Sequence, residues 1–438
     1  MKLLIISFAL GLFIPIIEIV DLLLKLLLRS RVSRIDKEGH AFPTSVKLSA
    51  EERADGGDPP SPYKILVSVR NIAPEFATFR DNLARFGYGN VLVIDDHSSD
   101  DTAELLRQSG IPFMSNEENL QKPGSILKAL QGLPSDIKTI VVIDPDATIL
   151  NLNPREFSKT ISDFHEVLAD FQKSGYEACA VRVAAHCDTL LEKLQNFEYK
   201  LTMGLVKKSL RQYVAVSGAL AFYQRASLES VLQKHSKSVY GEDYETSLLL
   251  HAEQGRTYYD GRLTVVTSQR TTVKELTKQR MGWDLSLLKI HLHQLKSLKN
   301  IPKKPLYFYQ YLIYNTLYLI VFHPVRILSV VFVGFSFTNL LDNALTLKLI
   351  PDYYFNNPII CLAFYGFAVI YSYLVLLVCE RRRRRRYLLL VLLYPLYSMY
   401  LALVPRTLGY LNYFSLLLFR RKILEDGYNS ALKQPMFG

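Results

Sequence analysis

Cysteine and tryptophan are both scarce in this chain, with four cysteines and one tryptophan among 438 residues. Cys179 and Cys187 show neither metal-ligand nor redox spacing, and Cys361 and Cys379 lie in apolar segments. We therefore expect no disulfide framework. This usage of cysteine is compatible with a domain that faces the cytosol.

The sequence also lacks an internal repeat and any nucleic-acid recognition motif. Its net charge is +11, and six of the positive charges form one block, Arg381 to Arg386, beside apolar segments. A block of this kind is typical of a cytosolic loop next to a membrane span. We therefore expect a lipid bilayer, and no nucleic acid, as a partner.

The first apolar stretch, residues 2–24, is interrupted only by Glu18 and Asp21, and no small-residue cleavage site of a signal peptide follows it. The positive-inside rule then places the N-terminus outside and residue 30 onward in the cytosol. We predict a transmembrane helix over 1–28 and a linker rich in Gly, Pro and charge over 29–62. The positive charges that support this orientation are Lys25, Arg29, Arg31, Arg34 and Lys37.

Residues 306–422 are dominated by Leu, Tyr, Phe, Ile and Val and predict three or four membrane helices, followed by a cytosolic tail over 423–438. A span at 312–338, bent near Pro324, keeps the arginine block in the cytosol, whereas separate spans at 306–322 and 327–345 would place it outside. The next span is Ile359–Val378. Residues 387–419 are broken at Pro405 and form either a hairpin or a span plus an interfacial helix. We expect a multi-pass protein of the plasma membrane.

Between these apolar regions, residues 63–272 predict a cytosolic α/β domain. Strand-like apolar runs at 63–69, 90–94 and 139–143 alternate with helix-like stretches, which is typical of βαβ units and a parallel sheet. The helix-like stretches are 76–86, 102–109 and 125–131. After Gly218 we expect a helix at 244–253, with short strands at Tyr258 and at 263–266. Residues 273–305 predict interfacial amphipathic helices, the first of which is Val273–His293.

Aspartates follow two of the predicted strands, where open α/β sheets bind their ligands. Asp144 and Asp146 can present carboxylate oxygens to a divalent cation that bridges two phosphates, although a turn with solvated aspartates is the alternative. Asp96 can accept hydrogen bonds from a nucleoside. Its alternative role is helix capping, for which Ser99 or Asp100 is better placed.

Two further motifs carry polar residues suited to catalysis. Glu242 and Asp243 precede a predicted helix, whose dipole keeps a carboxylate ionised as a general base requires; capping is the alternative. Gln279 and Trp283 lie in the amphipathic helix, where the tryptophan is either a membrane anchor or a platform for an acceptor sugar.

Ser217 and Gly218 form a small-residue turn between apolar stretches. Their simplest role is close packing. Their functional role would be a loop against which an acceptor can approach.

The order of these motifs, DD, DxD, SG, ED and QxxxW with flanking apolar spans, resembles the family-2 membrane glycosyltransferases, which include hyaluronan, chitin, cellulose and poly-N-acetylglucosamine synthases. The resemblance covers roughly residues 63–300 by motif. It implies a GT-A fold, Rossmann-like and inserted between transmembrane helices. It also implies an inverting displacement, a nucleotide-sugar donor that is usually a UDP-sugar, and Mg²⁺ or Mn²⁺.

The resemblance also implies roles for individual residues. Asp96, Lys122 and Asp144 would bind the nucleotide sugar, Asp144 and Asp146 the metal, and Asp243 would be the catalytic base. The acceptor would meet Ser217, Gly218, Glu242, Gln279 and Trp283, with Glu198 and Tyr199 in a neighbouring segment.

Two positions depart from the family pattern. Gly282 stands where the family usually has an arginine that pairs with the diphosphate, and Lys128 stands where asparagine is common. Arg280 is the candidate to replace that arginine in donor binding, but it lies about 200° around a helix from position 282. We therefore keep three hypotheses: a processive polysaccharide synthase, a transferase that adds one sugar to a lipid, and a degenerate non-catalytic scaffold.

Overall fold

The computed structural model describes residues 62–149, 157–185, 188–200, 215–236, 240–301, 358–379 and 387–419, with three isolated positions. The predicted N-terminal membrane helix, the linker, the arginine block and the C-terminal tail lie outside these ranges.

One mixed sheet of eight strands forms the centre of the described structure, in the order β3-β2-β1-β4-β7-β6-β8-β5. The first four strands along the chain are parallel, as the sequence predicts, whereas β7 runs antiparallel to both β4 and β6. The strands are β1 Tyr63–Val69, β2 Val91–Asp95, β3 Phe113–Ser115, β4 Thr139–Ile143, β5 Thr148–Ile149, β6 Ala178–Ala185, β7 Leu220–Gln224 and β8 Thr257–Thr267.

Helices cover the sheet and continue beyond it. Those of the α/β domain are α1 Phe76–Ala84, α2 Thr102–Ser109, α3 Gln121–Gly132, α4 Phe157–Ser174, α5 Leu190–Tyr199, α6 Arg225–Gln233 and α7 Glu242–Ala252. The later ones are α8 Val273–His293, the single turn α9 Leu295–Leu298, α10 Pro358–Cys379, α11 Leu388–Leu401 and α12 Thr407–Phe419.

Successive side chains of β1 point to opposite faces of the sheet, and each face is covered by its own hydrophobic cluster. Ile65, Val67 and Val69 face one cluster, which contains Phe164 and Phe171 of α4, while Leu66 faces the other. The second cluster includes residues of α3 and α6. All five residues of β4 are buried, as expected for a central strand covered on both faces.

Strand β8 corrects the prediction of two short strands at Tyr258 and 263–266. It is one strand from Thr257 to Thr267, although its pairing with β6 shifts register between Asp260 and Thr264. The polar residues at this irregularity are paired: Arg262 Nη2 lies 2.6 Å from Asp170 Oδ2, and Arg262 Nε lies 3.1 Å from Asp260 Oδ1. Helix α3 also begins at Gln121, four residues earlier than predicted, so it includes Lys122 in its first turn.

Among the described residues, one helix is long and apolar enough to cross a membrane, Leu388–Phe419, with 32 residues. It consists of α11, a π-helical turn at Ala402–Arg406 and α12, so the helix continues through Pro405. This corrects the expected break there, because the wider π turn accommodates the proline. Tyr365–Leu374 forms a shorter apolar stretch within α10. We call Leu388–Phe419 the long apolar helix.

Helix α8 packs closely along the long apolar helix. A Cβ atom at Gly409 would lie 3.0 Å from the carbonyl oxygen of Met281, so the two backbones nearly touch. Arg406 Nε lies 3.5 Å from Asp284 Oδ1, and Asn412 Nδ2 lies 3.4 Å from Met281 Sδ. The long apolar helix is thereby joined to the α/β domain through α8.

Candidate active site

Four acidic residues lie near the carboxyl end of β4, and a lysine pairs with two of them. The four are Asp144, Asp146, Glu242 and Asp243. Lys122 Nζ is 2.5 Å from Asp144 Oδ1 and 3.0 Å from Glu242 Oε1. Asp144 directly follows β4, while Glu242 opens α7. The structure therefore brings together residues from three predicted motifs that are far apart in the sequence.

The lysine and the carboxylates control one another's protonation. Burial alone would lower the pKa of Lys122, but Asp144 and Glu242 outweigh this effect and hold its pKa well above the ordinary value. Burial also raises the pKa of Asp144 to about 7, against the opposing effect of Lys122 and with help from Glu242 and Asp146. Lys122 thus keeps its positive charge, while the Asp144 carboxyl takes up a proton near neutral pH.

Asp243 is positioned by two backbone donors. Its Oδ2 accepts a hydrogen bond from the Gly218 N–H at 2.8 Å, and its Oδ1 accepts one from the Tyr244 N–H at 2.8 Å. Burial, and then the charge of Glu242, raise the pKa of Asp243 above its usual range, although the Gly218 bond opposes this. A carboxylate with a raised pKa is a better proton acceptor, as a general base requires.

Gly218 allows this close approach because it has no side chain. A Cβ atom there would lie 3.1 Å from Lys122 Nζ and 3.4 Å from Glu242 Oε1. A cavity of about 30 Å³, enough for a water molecule, lies beside Lys122, Ser217, Gly218 and Asp243. Ser217 Oγ accepts a 3.4 Å hydrogen bond from the Ala219 N–H.

Asp146 is exposed, and its Oδ2 accepts a hydrogen bond from Thr267 Oγ1 at 3.0 Å. With Asp144 it provides two hard oxygen donors, which is the donor set that Mg²⁺ or Mn²⁺ takes when substrate phosphates and water complete the coordination. Within the described ranges, no group of three or more His, Cys, Asp or Glu side chains forms a ready-made metal site. The donor set fits a metal ion that binds together with a diphosphate.

Asp96 is buried and already hydrogen-bonded within the protein. Its Oδ1 accepts bonds from Asn116 Nδ2 at 3.1 Å and from the Leu120 N–H at 2.8 Å. Asp96 therefore holds the turn that leads into α3 and places Lys122. A role in binding the nucleotide stays a prediction. The N-cap residue of α2 is Asp101, not Ser99 or Asp100 as expected, and it makes no side-chain capping bond; Asp100, one residue earlier, accepts a hydrogen bond from the Thr102 N–H at 3.1 Å.

Arg280 lies in a second polar cluster. Its Nη2 is 2.8 Å from Glu198 Oε2, which also accepts a 2.8 Å hydrogen bond from the Tyr397 hydroxyl of the long apolar helix. The guanidinium carbon lies 4.0 Å from the centroid of the Trp283 ring. The contacts of Arg280 thus join α5, α8 and the long apolar helix, and one face of Trp283 is covered. Gln279, next to it, has a buried Oε1 without a hydrogen-bond partner among the described residues.

Replacing Glu198 by glutamine should destabilise the protein by about 3 kcal/mol. Arg280 is 5% exposed, so the substitution leaves its charge buried without its ion-pair partner. Denaturant unfolding of the detergent-solubilised protein measures the loss, and Glu117→Gln in an exposed loop is the control. Equal stability of the two variants would show that the ion pair contributes nothing.

Two supporting residues were not identified from the sequence. His235 Nε2 lies 3.0 Å from the carbonyl oxygen of Glu242, and its Nδ1 lies 3.4 Å from Glu245 Oε2. Glu245 also accepts a 2.6 Å hydrogen bond from Gln294 Nε2. These buried contacts fix the start of α7. Only the helical spacing of Glu245 from Glu242 could have indicated them.

No family model and no curated protein matches the chain. A solved structure that resembles it is a mannosyltransferase from Pyrobaculum calidifontis in complex with GDP-mannose and Mn²⁺, with 16% identity and a TM-score of 0.51. The match covers 84% of this chain and 97% of that one. The fold is GT-A-like.

Two other solved structures match over about half of this GT-A-like chain. GalNAc-T7 with UDP, GalNAc and Mn²⁺ is 11% identical, with coverage of 54% and 48% of the two chains and a TM-score of 0.36. A mycobacterial protein is 13% identical, with coverage of 52% and 74% and a TM-score of 0.34. At these scores neither contributes to the assignment of the fold.

Proposed function

We propose that this chain is an inverting membrane glycosyltransferase that transfers a sugar from a nucleotide-sugar donor to a growing β-linked polysaccharide. The observation that carries the proposal is Asp243, held by the Gly218 N–H beside Lys122 and Asp144 in a GT-A-like fold. A base, a cation and a pair of metal-binding carboxylates are the groups that this reaction needs.

The reaction assigned to this site is a single displacement. An acceptor hydroxyl oxygen forms a bond to the anomeric carbon while the bond from that carbon to the diphosphate oxygen breaks. Asp243 receives the hydroxyl proton, and the nucleoside diphosphate leaves. Because attack and departure occur on opposite faces, the configuration at the anomeric carbon inverts.

Asp144 and Asp146 would hold Mg²⁺ or Mn²⁺, which would neutralise charge on the leaving diphosphate. Lys122 contributes a fixed positive charge close to the same carboxylates, since its pKa lies well above the ordinary value. Ser217 and Gly218 border the cavity beside Asp243, where an acceptor hydroxyl can approach.

The donor panel that tests this proposal contains both UDP-sugars and GDP-sugars. The family resemblance favours UDP-sugars, whereas the similar mannosyltransferase was solved with GDP-mannose. The full chain in detergent or nanodiscs, incubated with each donor and Mn²⁺ or Mg²⁺, should release nucleoside diphosphate from at least one donor. No release from any donor would contradict the proposal.

A lipid that receives a single sugar is the second candidate acceptor, favoured by the long apolar helix. Along that helix large apolar side chains are exposed, including Leu389, Leu396 and Phe414, while other positions pack against α8. Helix α8 carries Gln279 and Trp283, so the proposed acceptor residues would lie near a bilayer surface. Mass spectrometry separates the candidates, since a polymer ladder supports the synthase and a single-sugar glycolipid supports the lipid transferase.

Asp146→Asn should raise the Mn²⁺ or Mg²⁺ concentration for half-maximal activity by about tenfold or more. Even second-shell changes weaken metal binding by about 10–100-fold, and this substitution removes charge from a proposed ligand. Metal titration of nucleotide release measures the shift. Thr267→Val removes only the hydroxyl that donates to Asp146 and should give a smaller shift; an unchanged requirement in Asp146→Asn would reject Asp146 as a ligand.

A further inference from the structure

The backbone at Gly282 of α8 lies directly against the ring of Tyr240, three residues before Asp243. A Cβ atom at Gly282 would lie 2.5 Å from Cε2 and 2.9 Å from Cδ2 of Tyr240. Unbonded carbon atoms have their optimal separation at about 3.5–4.0 Å, so even a methyl group does not fit. Gly282 itself is buried.

The next residue, Gly241, is fixed against the same face of α8. It has a φ of +72°, in the left-handed region that favours glycine, and its Cβ would lie 3.1 Å from Ile290 Cδ1 and 3.9 Å from Ser286 Cβ. Gly282, Ser286 and Ile290 are four residues apart and therefore lie on one face of the helix. Two consecutive residues before Glu242 and Asp243 thus rest on that face.

The opposite side of α8 contacts the long apolar helix. Thr277 shares a hydrogen bond with the Tyr400 hydroxyl, Arg280 reaches Tyr397 through Glu198, and Asp284 pairs with Arg406. Helix α8 is consequently held from behind and cannot move away from Tyr240 without breaking these contacts. Any added volume at position 282 must displace Tyr240 instead.

We propose that Gly282 and Tyr240 are positioning residues, whose contact sets the place of Asp243 relative to Gly218 and Lys122. The inference rests on the proposed function, since it concerns the base of that reaction. It also accounts for the glycine where family-2 enzymes usually have arginine, because Tyr240 occupies the space that a longer side chain would need. Position 282 is therefore a packing position.

The experiment is a double-mutant cycle on nucleotide release by the full-length protein, with the UDP- and GDP-sugars of the panel. Gly282→Ala should lower kcat by about 10–100-fold, as expected for a misplacement of about 1 Å, with little change in the donor KM. Tyr240→Ala should also lower kcat. In the Tyr240→Ala background, Gly282→Ala should have no further effect, because the clash no longer exists.

A pH profile distinguishes a displaced base from a merely loosened fold. The hydrogen bond from the Gly218 N–H favours the charged form of Asp243. If Asp243 moves away from this donor in Gly282→Ala, its pKa should rise, and the acid limb of kcat should shift to higher pH. The matched control is Gly366→Ala in α10, a helical glycine whose Cβ would meet no heavy atom of the described residues within 4 Å. It should keep the activity and the pH profile of the wild type.

The outcomes separate this inference from the proposed function. An inactive wild-type protein overturns the proposed function and the inference with it. An active wild type in which Gly282→Ala matches Gly366→Ala overturns the inference alone. The same holds if Gly282→Ala costs as much activity in the Tyr240→Ala background as in the wild type, since the two residues would then act independently.

Discussion

Asp243→Asn should lower kcat for sugar transfer by about 10³-fold while the protein stays folded. General acid–base catalysis contributes about 10²–10⁴-fold, and the amide cannot accept the acceptor proton. The asparagine side chain keeps one carbonyl oxygen to receive the Gly218 N–H but loses the acceptor for the Tyr244 N–H, so we expect a stability loss of about 1 kcal/mol. Nucleotide release and thermal unfolding of the same preparation measure the two effects.

The wild-type pH profile supplies a second test of Asp243. Burial and Glu242 raise the pKa of Asp243, so the proportion of the active, ionised form falls as the pH is lowered through that raised value. The acid limb of kcat should therefore lie above the ordinary range for aspartate. The profile is measured at saturating donor and metal, because the donor KM would report on Asp144, whose pKa is raised to about 7, and kcat on Asp243.

Asp136→Asn, at an exposed position before β4, is the matched control and should leave both kcat and the pH profile unchanged. If Asp243→Asn retained wild-type turnover, Asp243 would not be the base. If the wild type made a cellular glycan and Asp243→Asn made the same amount, the scaffold hypothesis would replace both enzymatic ones.

The sequence predicted three strands at the centre of the fold because of their strand-like apolar runs, and two of these runs, β2 and β4, end at aspartates. Asp144 could be placed at the carboxyl end of a strand for that reason, and the structure agrees. The antiparallel insertion of β7 between β4 and β6 was not predictable. A buried strand has the same pattern of residues whichever direction its neighbours run.

The contacts within the site were harder to predict than its members. Lys122 and Glu242 are 120 residues apart, and no local pattern indicates that an ammonium group lies between Asp144 and Glu242. The role of Gly282 was equally hidden, because a missing side chain gives no sign of what fills its space. Arg280 was expected at the donor on family grounds; the structure pairs it with Glu198, which the sequence did not indicate, and its role at the donor stays a prediction.

Lys122→Met should lower kcat by about 10²-fold and the free energy of unfolding by about 2 kcal/mol. The activity loss corresponds to removing one preorganised charge near the leaving group. The stability loss follows because Asp144 and Glu242 would face each other without the cation. It should be smaller than the roughly 3–5 kcal/mol typical of broken buried pairs, since the side chains retain 19–30% exposure.

The stability loss should depend on pH in a definite direction. In the wild type the pKa of Asp144 is raised to about 7, so the folded protein holds an extra proton and its stability falls as the pH rises from about 4 to 7. Lys122 opposes that rise in pKa. Without it, Asp144 should stay protonated to higher pH, and the deficit of Lys122→Met should be larger at pH 8 than at pH 5.5.

Lys128→Met, at an exposed position of the same helix α3, controls for the change of residue type and should have little effect on stability or kcat. The double variant Lys122→Met with Asp144→Asn separates charge balance from catalysis. Because it removes a cation and one of its carboxylates together, it should regain most of the stability but none of the turnover. Recovery of turnover in the double variant would show that Lys122 only balances the charge of Asp144 and does not assist the leaving group. A stability deficit that is the same at both pH values would show that Lys122 does not stabilise the fold through its charge on these carboxylates.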